Sequence, residues 1–409
     1  MVRSAVLRGD PLRVDIPGYT PRVVATADRI FVLVIAEIER TAEGLRKPRR
    51  LYAFDWSGRP LWTSDLDVGP AGPCVAADGL LWFAEPTALV GLDADGAAVR
   101  RVDVVLPPDE SLGAFVGLAD GGFIIATEAT GGRRGPRGRV LRLDGAGAVL
   151  WSRELMPDPR SPRGAADPPH RSLWRPENWV CVHQHPLLVA GDAVLCGFHE
   201  WPRSGMGRRF LLGLARGELR WTGELGATGH AAIVGPGTFL VGTQGYGEFR
   251  SVLVDRGGVI DRWDTHGPAL ITNCLRVVEL RNVMPSDQRT VTLLPGGTLA
   301  RGELLPGYHT APPAALADGT LVTWRAGALL QIDADGAITR RHGFGPADGG
   351  AGRIVVGPDR LACVISDEDH GRGPWPLWIF PVNLPGLAAG PWPCDGGGPG
   401  DPGVLATPT

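Results

Sequence analysis

The sequence predicts an all-β protein: a single β-propeller of eight four-stranded blades, with seven blades as the alternative. Three observations predict it. A unit of apolar strand, tight Asp/Gly turn and second strand recurs about every 40 residues along the chain. The 409 residues include 59 Gly and 37 Pro, which suits a fold with many turns. Hydrophobic residues make up 44% of the chain, enough for a sizeable core.

The clearest copy of the unit reads Leu51-Tyr-Ala-Phe-Asp-Trp-Ser-Gly-Arg-Pro-Leu-Trp62. Seven further copies follow, of which the copy at 291–297 is weak and the copy at 377–383 is degenerate. A second hairpin precedes the copies, with turns such as Ala-Asp-Gly at 77–79 and 317–319. Because Asp-Gly between apolar runs is a strong hairpin signal, each unit is predicted to contain four strands, A to D. Eight such units indicate a radial array of sheets.

This pattern resembles the PQQ-like propeller repeat, and the resemblance runs from about residue 20 to residue 390. It implies the fold and leaves the function open, because the family includes dehydrogenases, assembly scaffolds and sensors. PQQ-dependent dehydrogenases of this fold carry adjacent cysteines, a tryptophan floor and calcium ligands. The six cysteines of this chain are scattered and none is adjacent to another, so PQQ binding is not expected.

The propeller is predicted to span residues 1–390. Its last unit lacks a convincing fourth strand, whereas the N-terminal stretch 5–15 looks like a spare strand or hairpin. We expect this stretch to pair into the last blade and close the ring, which would remove a free sheet edge. The Pro/Gly-rich tail, residues 391–409, is expected to be disordered.

Charge and hydropathy exclude several classes of partner. The formal net charge is −3, which favours neither nucleic acid nor an anionic membrane. The N-terminus has no apolar stretch of signal-peptide length, and no run approaches the length of a membrane helix. We therefore expect a cytoplasmic monomer with no nucleic-acid or membrane partner.

The connections between the predicted strands are unequal. A–B and C–D connections are nearly all tight turns, whereas B–C and D–A connections contain the long insertions, such as 40–50, 130–139 and 154–178. In a propeller these long loops emerge on one face around the central opening, here called the loop face; the opposite end is the turn face. Loops on a rigid scaffold usually carry binding and catalysis. The insertions are rich in arginine, which indicates either an anionic or carrier-bound ligand or local pairing with glutamates.

Carboxylates, histidines and aromatic residues are predicted to collect on the loop face. Several His and Glu side chains in one funnel could abstract and return a proton, which serves elimination, isomerisation or ring closure. The predicted catalytic residues are His230, His309, Glu85 and Glu128, and the predicted substrate-binding residues are Asn273, Tyr308, Trp179, Tyr19, His185 and Glu200.

A divalent metal site is another use for the histidines. His183 and His185 are two residues apart, which places them on one face of a regular strand. Histidine and carboxylate sets suit zinc, iron or copper, and all-oxygen sets suit calcium or magnesium. The alternative is that they are hydrogen-bonded pocket residues. The candidate ligands are His183, His185, His199, His230 and His309.

The leading functional hypothesis is a small-molecule enzyme of proton-transfer type (a lyase, isomerase or cyclase) that acts in the central funnel without a redox cofactor. The Ala/Gly/Pro/Arg-rich composition is typical of high-GC actinobacteria, which associates the chain with natural-product biosynthesis. The alternative is a non-catalytic propeller that serves as an interaction scaffold or ligand sensor. An enzyme requires His and Glu side chains that are partly desolvated and within reach of one another.

Overall fold

The structure, a computed structural model, is all-β. No helix in the part of the chain that it describes is long and apolar enough to span a membrane. The described residues are 6–7, 10–41, 44–66, 72–108, 110–129, 138–155, 180–201, 208–214, 216–226, 228–244, 249–264, 275–278, 289–306, 311–343, 349–369, 375–383, 386–389 and 394.

These residues form 35 strands and one short 3-10 turn, Pro295–Gly297. In chain order the strands are β1 (Val6–Leu7), β2 (Leu12–Val14), β3 (Tyr19–Ala25), β4 (Arg29–Ile35), β5 (Glu39–Thr41), β6 (Gly44–Arg46), β7 (Arg49–Asp55), β8 (Pro60–Leu66), β9 (Cys74–Val75), β10 (Leu81–Ala84), β11 (Ala88–Leu92), β12 (Ala98–Asp103), β13 (Glu110–Gly117), β14 (Phe123–Ala129), β15 (Arg139–Leu143), β16 (Val149–Glu154), β17 (Val180–Ala190), β18 (Ala193–Trp201), β19 (Arg208–Leu214), β20 (Leu219–Gly226), β21 (Thr228–Gly235), β22 (Thr238–Gln244), β23 (Phe249–Asp255), β24 (Gly258–Asp264), β25 (Arg276–Val278), β26 (Arg289–Leu294), β27 (Thr298–Leu304), β28 (Ala314–Ala315), β29 (Leu321–Arg325), β30 (Ala328–Ile332), β31 (Ile338–Gly343), β32 (Gly349–Ala351), β33 (Val355–Val356), β34 (Arg360–Asp369) and β35 (Leu377–Asn383).

Six antiparallel sheets have four strands each, joined in chain order. They are sheet 1 (β3, β4, β7, β8), sheet 2 (β9 to β12), sheet 3 (β13 to β16), sheet 4 (β17 to β20), sheet 5 (β21 to β24) and sheet 7 (β28 to β31). Between sheets 5 and 7 lies the three-stranded sheet 6 (β25 to β27), and the chain ends in the six-stranded sheet 8 (β1, β2, β32 to β35). The hairpin of β5 and β6 is inserted between strands B and C of sheet 1.

The fold is a β-propeller with six four-stranded blades among the described residues. The predicted counts of eight and seven four-stranded blades are not supported. In sheet 6 the described chain supplies three strands, and residues 265–274 before it lie outside the described part. Sheet 8 departs from four strands because two N-terminal strands join it and its first strand is divided into β32 and β33.

The N-terminal strands close the ring, as the sequence predicts. Strand β2 pairs with β35 through Arg13 and Trp378, and β1 pairs with the end of the same strand. These pairs protect an edge of β35 that would otherwise expose unpaired backbone groups. The prediction that the N-terminal stretch pairs into the last sheet is therefore confirmed.

Buried apolar clusters join neighbouring sheets. Leu33 of sheet 1 and Phe83 of sheet 2 belong to one cluster. Val23 of sheet 1 and Ala362 of sheet 8 belong to another, so the last sheet packs on the first. Strands B and C carry most of the buried positions, whereas the D strands, such as β16, are largely exposed. The core therefore lies between the inner strands of adjacent sheets.

Two tryptophans that end repeat units, Trp62 and Trp263, pack between neighbouring sheets. The indole N–H of Trp62, on the outer strand of sheet 1, donates to the carbonyl of Ala94 in the C–D turn of sheet 2 over 2.9 Å. The ring lies against Gly96 in the same turn. The indole of Trp263 makes the corresponding bond from sheet 5 to Leu294 of sheet 6 over 2.8 Å. Because these contacts repeat, they are structural and do not mark a stacking site.

The predicted C-terminal tail includes one described residue, Cys394. This residue is buried and bridges to Ala314, on the innermost strand of sheet 7. The backbone N–H of Ala388 donates to the carbonyl of Ala315 over 2.8 Å, so the segment before the tail follows the same strand edge. The remaining residues of 391–409 lie outside the described chain, and their disorder stays a prediction.

In sheets 1, 2, 3, 5 and 7 an aspartate at the start of the C–D turn organises that turn. The Asp55 carboxylate accepts hydrogen bonds from the Ser57 hydroxyl and from the backbone N–H groups of Ser57 and Arg59. Asp93 and Asp333 accept equivalent backbone bonds in their own turns. The turns therefore form from local chemistry, which explains why the sequence predicts them well.

We expect the contribution of Asp55 to stability to depend on pH. The Ser57 hydroxyl, assisted by Arg59, lowers the pKa of Asp55 from its ordinary 3.8 to about 2. A lowered folded-state pKa gives stability that is present above pH 3.8 and is lost as the pH falls through about 2. The difference in unfolding free energy between the wild type and Asp55→Asn should therefore shrink in urea titrations as the pH falls from 7 to 2. An equal difference at both ends of this range would contradict the assignment.

Candidate functional site

The predicted site residues fall into three groups. Glu85, Glu128 and Tyr19 are described with their side chains. Five others are described as backbone positions only: His183, His185, His199, Glu200 and His230. The last four lie outside the described residues: His309, Asn273, Tyr308 and Trp179.

The backbone places several predicted histidines near the loop face. His183 lies early in β17 and pairs with Phe198, and His199 pairs with Val182 at the end of β18. The pairing shifts between His183 and Leu187, so His185 lies in an irregular part of the strand. His230, in sheet 5, pairs with Gly242. The strand positions match the expected face, and the roles of these residues as acids, bases or metal ligands stay predictions.

The metal-site prediction gains no support from the described side chains. Among them, no group of three or more His, Cys, Asp or Glu residues could hold a metal ion. None of the five histidines predicted as ligands is among these side chains. The metal therefore stays a prediction.

Glu85 lies in the B–C turn of sheet 2, at the loop face. Its carboxylate forms an ion pair with Arg101 on the outer strand over 2.8 Å. The same contact raises the pKa of Arg101, with Asp103 contributing. Its backbone N–H donates to the carbonyl of Ala88, which closes the turn. Glu85 is thus held at the outer edge of its sheet, an arrangement that does not favour proton transfer in a central funnel.

Glu128 lies near the end of β14, where strand B of sheet 3 approaches the loop face, and it pairs with Ser111. Its side chain is partly buried, and this burial raises its pKa. No ion pair or hydrogen bond from another described residue reaches its carboxyl group. Desolvation without a cation is the condition that makes a carboxyl group a usable acid at moderate pH.

Gly113 provides the space for this carboxyl group. It lies at a bulge in β13, where the pairing with β14 shifts between Leu112 and Ala114. A Cβ atom at Gly113 would lie 2.3 Å from Cγ of Glu128. The Glu128 side chain therefore occupies volume that any larger residue at 113 would fill.

A buried ion pair lies on the other face of sheet 3. The Glu110 side chain is fully buried, and its carboxylate accepts two bonds from Arg139, at 3.0 and 2.8 Å. The Thr127 hydroxyl donates to the second oxygen over 3.0 Å. These residues lie on the face of sheet 3 opposite to the face that carries Glu128, because Thr127 and Glu128 are consecutive in one strand. The network joins the loop ends of strands A, B and C.

Sequence reasoning missed Glu110 and Thr127. Arg139 appears only as one of many arginines in the long loops. A usable signal was the position of Glu110, which begins strand A directly after Pro107-Pro108-Asp109. Its partners could not be identified without the three-strand register.

Tyr19 begins strand A of sheet 1 and is 48% exposed. It pairs with Ile35, and Ile35 pairs with Arg49 on the next strand. The residue after it, Thr20, has a φ of 48°. A β-branched residue rarely adopts this left-handed conformation, which persists only where the surrounding structure fixes it. Tyr19 is exposed at the loop face, and its role in substrate binding stays a prediction.

A cavity formed by described residues lies at the turn face, at the opposite end of the sheets. It has a volume of about 140 Å³ and lies between the A–B turns of sheets 2 and 3. Asp78, Leu118 and Phe123 contribute to its walls, and none of the predicted site residues does. Its volume is well below the roughly 300 Å³ at which pockets begin to hold organic ligands, so it is not the candidate site.

No protein-family model matches the chain, and no curated protein matches it. Among solved structures, dihydro-heme d1 dehydrogenase NirN in complex with DHE is 12% identical, covering 91% of this chain and 78% of that chain, with a TM-score of 0.51. Regucalcin, a calcium-binding protein from Agrobacterium tumefaciens, is 14% identical, covering 80% and 93%, with a TM-score of 0.37. A protein of unknown function from Bacteroides caccae is 12% identical, covering 79% and 94%, with a TM-score of 0.39. At 12% identity, the likeness to NirN extends to the fold alone. The narrower resemblance to PQQ-like repeats stays a prediction.

Proposed function

We propose that this propeller is an enzyme that transfers protons within a small molecule, with Glu128 as its general acid and base. The observation that carries the proposal is the Glu128 carboxyl group, which is partly buried at the loop face, has a raised pKa and has no cationic partner among the described side chains. Proton transfer accounts for lyase, isomerase and cyclase chemistry, and it needs no redox cofactor.

The chemistry follows from two states of one group. The Glu128 carboxylate accepts a proton from an acidic C–H or O–H of the bound molecule. The resulting carboxylic acid then donates that proton to a different atom, so the carboxylate is regenerated and nothing external is consumed. A raised pKa favours this cycle because both forms are accessible at moderate pH.

The buried pair of Glu110 and Arg139 supports the position of Glu128. It fixes the ends of the strands on which Glu128 and its partner Ser111 lie. A catalytic group held by rigid strands keeps its geometry without a reorganisation cost. Gly113 has the complementary role, because it leaves room for the carboxyl group.

The same proposal includes the features expected from the sequence. The ligand is a small molecule, anionic or carrier-bound, and the protein acts as a cytoplasmic monomer. Sheets 6 and 8 take the remaining two positions of an eight-bladed ring. Their packing in the shared clusters supports this arrangement, since sheet 6 contributes Val291 to one cluster and sheet 8 contributes Cys363 to another.

Glu128→Gln tests the function. The protein is incubated in D2O with a small-molecule extract of an actinobacterial culture, and deuterium entering each compound is followed by mass spectrometry. We expect the wild type to label at least one compound and Glu128→Gln to label it about 100-fold more slowly, because the general base is lost. Glu85→Gln is the matched control, since Glu85 is a loop-face carboxylate held by Arg101, and it should label at the wild-type rate.

A stability measurement separates catalysis from misfolding. A raised folded-state pKa gives stability that is full below the ordinary pKa and is lost as the pH rises, so the charged carboxylate is a cost at pH 7. Glu128→Gln should therefore unfold at a temperature equal to or above that of the wild type at pH 7. Absence of labelling by the wild type, or equal labelling by Glu128→Gln, would favour the non-catalytic scaffold or sensor.

A further inference from the structure

Two arginines of sheet 1 lie on one face at its loop end. Arg22 pairs with Leu33, and Arg49 pairs with Ile35, two residues further along the same strand. Residues that oppose each other in an antiparallel pair share a face, and so do residues two apart. Arg22 and Arg49 therefore share the face that carries Leu33, which packs against sheet 2.

Arg22 lies against the chain segment that enters sheet 2. The chain entering sheet 2 passes against it at Gly72, where a Cβ atom would lie 2.5 Å from Nη1 of Arg22. Both Arg22 and Arg49 are partly buried. Burial lowers the pKa of Arg49, and the nearby Arg22 charge lowers it further.

No described carboxylate balances these two charges. Arg50, the neighbour of Arg49, faces the other way and pairs with Asp65 over 2.5 Å. The loop-end carboxylate of sheet 2, Glu85, is bonded to Arg101. A partly buried pair of cations without a counter-charge is unfavourable unless a ligand supplies the negative charge.

The backbone beside the pair is held in an unusual conformation. Between Tyr19 and Arg22 the pairing with β4 shifts, and Thr20 within this bulge has a φ of 48°. Bulges change the direction of neighbouring side chains and occur near binding sites. Strain of this kind persists only where the surroundings fix it.

We propose that Arg22 and Arg49 form a binding site for the oxyanion of a small molecule, a phosphate or a carboxylate group, at the loop end of sheet 1 on the face that packs against sheet 2. Two guanidinium groups offer planar sets of N–H donors that match both kinds of oxyanion. The exposed Tyr19 lies beside the site and is available to contact the remainder of the ligand. The site does not depend on Glu128, so each proposal can fail without the other.

The test is calorimetric titration of the full chain with inorganic phosphate and, separately, with malonate, at an ionic strength fixed with NaCl. We expect at least one of them to bind, and the tighter of the two identifies the oxyanion. Arg22→Gln and Arg49→Gln should each weaken this binding about tenfold, the loss expected for one charged hydrogen-bond partner. Arg50→Gln is the matched control, because it removes the same charge one residue away on the opposite face and should bind like the wild type.

The unfolding temperature without added anion supplies the second measurement. Arg49→Gln removes a desolvated, repelled charge, so its midpoint should equal or exceed that of the wild type. A purely structural arginine would lower the midpoint instead. The proposal is overturned if neither anion binds the wild type, if Arg50→Gln loses as much affinity as Arg49→Gln, or if Arg49→Gln lowers the midpoint.

Discussion

Arg139→Met will destabilise the fold by about 3 kcal/mol, because it leaves the Glu110 carboxylate buried without a cation. The Glu110 side chain is fully buried, and Arg139 gives it two hydrogen bonds. Thr127 can donate one bond to the carboxylate and cannot supply a charge. Since the Arg139 side chain is 26% exposed, we take the lower end of the range for breaking a buried pair. Urea unfolding measures the loss.

Two comparisons make this expectation specific. Arg101→Met breaks the loop-face pair with Glu85, in which both partners are partly exposed, and should cost less than about 1 kcal/mol. The double variant Glu110→Met/Arg139→Met removes both charges and should recover most of the stability lost by Arg139→Met, because no buried charge is left unpaired. A single variant that is no worse than Arg101→Met would show that Glu110 is not buried as described.

The loop end of sheet 3 links stability with the proposed activity. Glu110, Thr127 and Arg139 connect strands A, B and C on one face, and Glu128 lies on the opposite face of the same strand ends. Loosening the network should therefore weaken the positioning of Glu128 even though none of the three residues faces it. The rate of deuterium labelling by Glu110→Met/Arg139→Met tests this effect apart from stability. That variant should recover most of the stability without restoring the hydrogen bonds.

The features that sequence predicted well are those made by neighbours in the chain. Asp93 accepts bonds from residues two and four positions later, so the turn is contained in a few letters. The N-terminal strand could also be placed, because the degenerate last unit lacks a partner that the spare strand supplies. The recurrence of the strand–turn–strand unit along the chain is enough to predict a propeller.

The blade count could not be predicted, because the repeat does not report how strands are shared between sheets. The weak unit at 291–297 corresponds to sheet 6, for which the structure describes three strands. In sheet 8 the first strand is split into β32 and β33, a local interruption with no signal in the repeat. Both irregularities arise from pairing between distant residues.

The sequence predicted where the candidate site lies better than it predicted which residues form it. Glu128 was predicted because it lies where strand B leaves the sheet, and the structure places it near the end of β14 with a partly buried side chain. Its catalytic role stays a prediction. Glu85 fits the same rule, and the structure pairs it with Arg101, which lies sixteen positions away on the outer strand. No sequence motif marks Arg22. It enters the proposed anion site because Arg49 and Gly72, from other segments of the chain, lie near it in the fold. Charge balance depends on such cross-strand neighbours, which a single sequence does not specify.

Gly96→Ala will cost about 3 kcal/mol, because the substitution affects both the backbone and the contact between sheets 1 and 2. Gly96 has a φ of 83°, a conformation that costs an L-residue about 1–2 kcal/mol. Its added Cβ would also lie 2.9 Å from two ring atoms of Trp62. That ring cannot move away freely, since its N–H is bonded to the carbonyl of Ala94. Overpacking of this kind adds about 1–3 kcal/mol.

Gly79→Ala separates the two causes. Gly79 has nearly the same φ, 78°, and an added Cβ there would meet nothing within 4 Å. Its replacement should therefore cost only the backbone part, about 1–2 kcal/mol, in the same urea titration. The excess cost of Gly96→Ala over Gly79→Ala measures the Trp62 contact, and Trp62→Ala should abolish that excess. If the two glycine variants are equally destabilised, the tryptophans do not clamp neighbouring sheets, and the ring depends on its buried clusters alone.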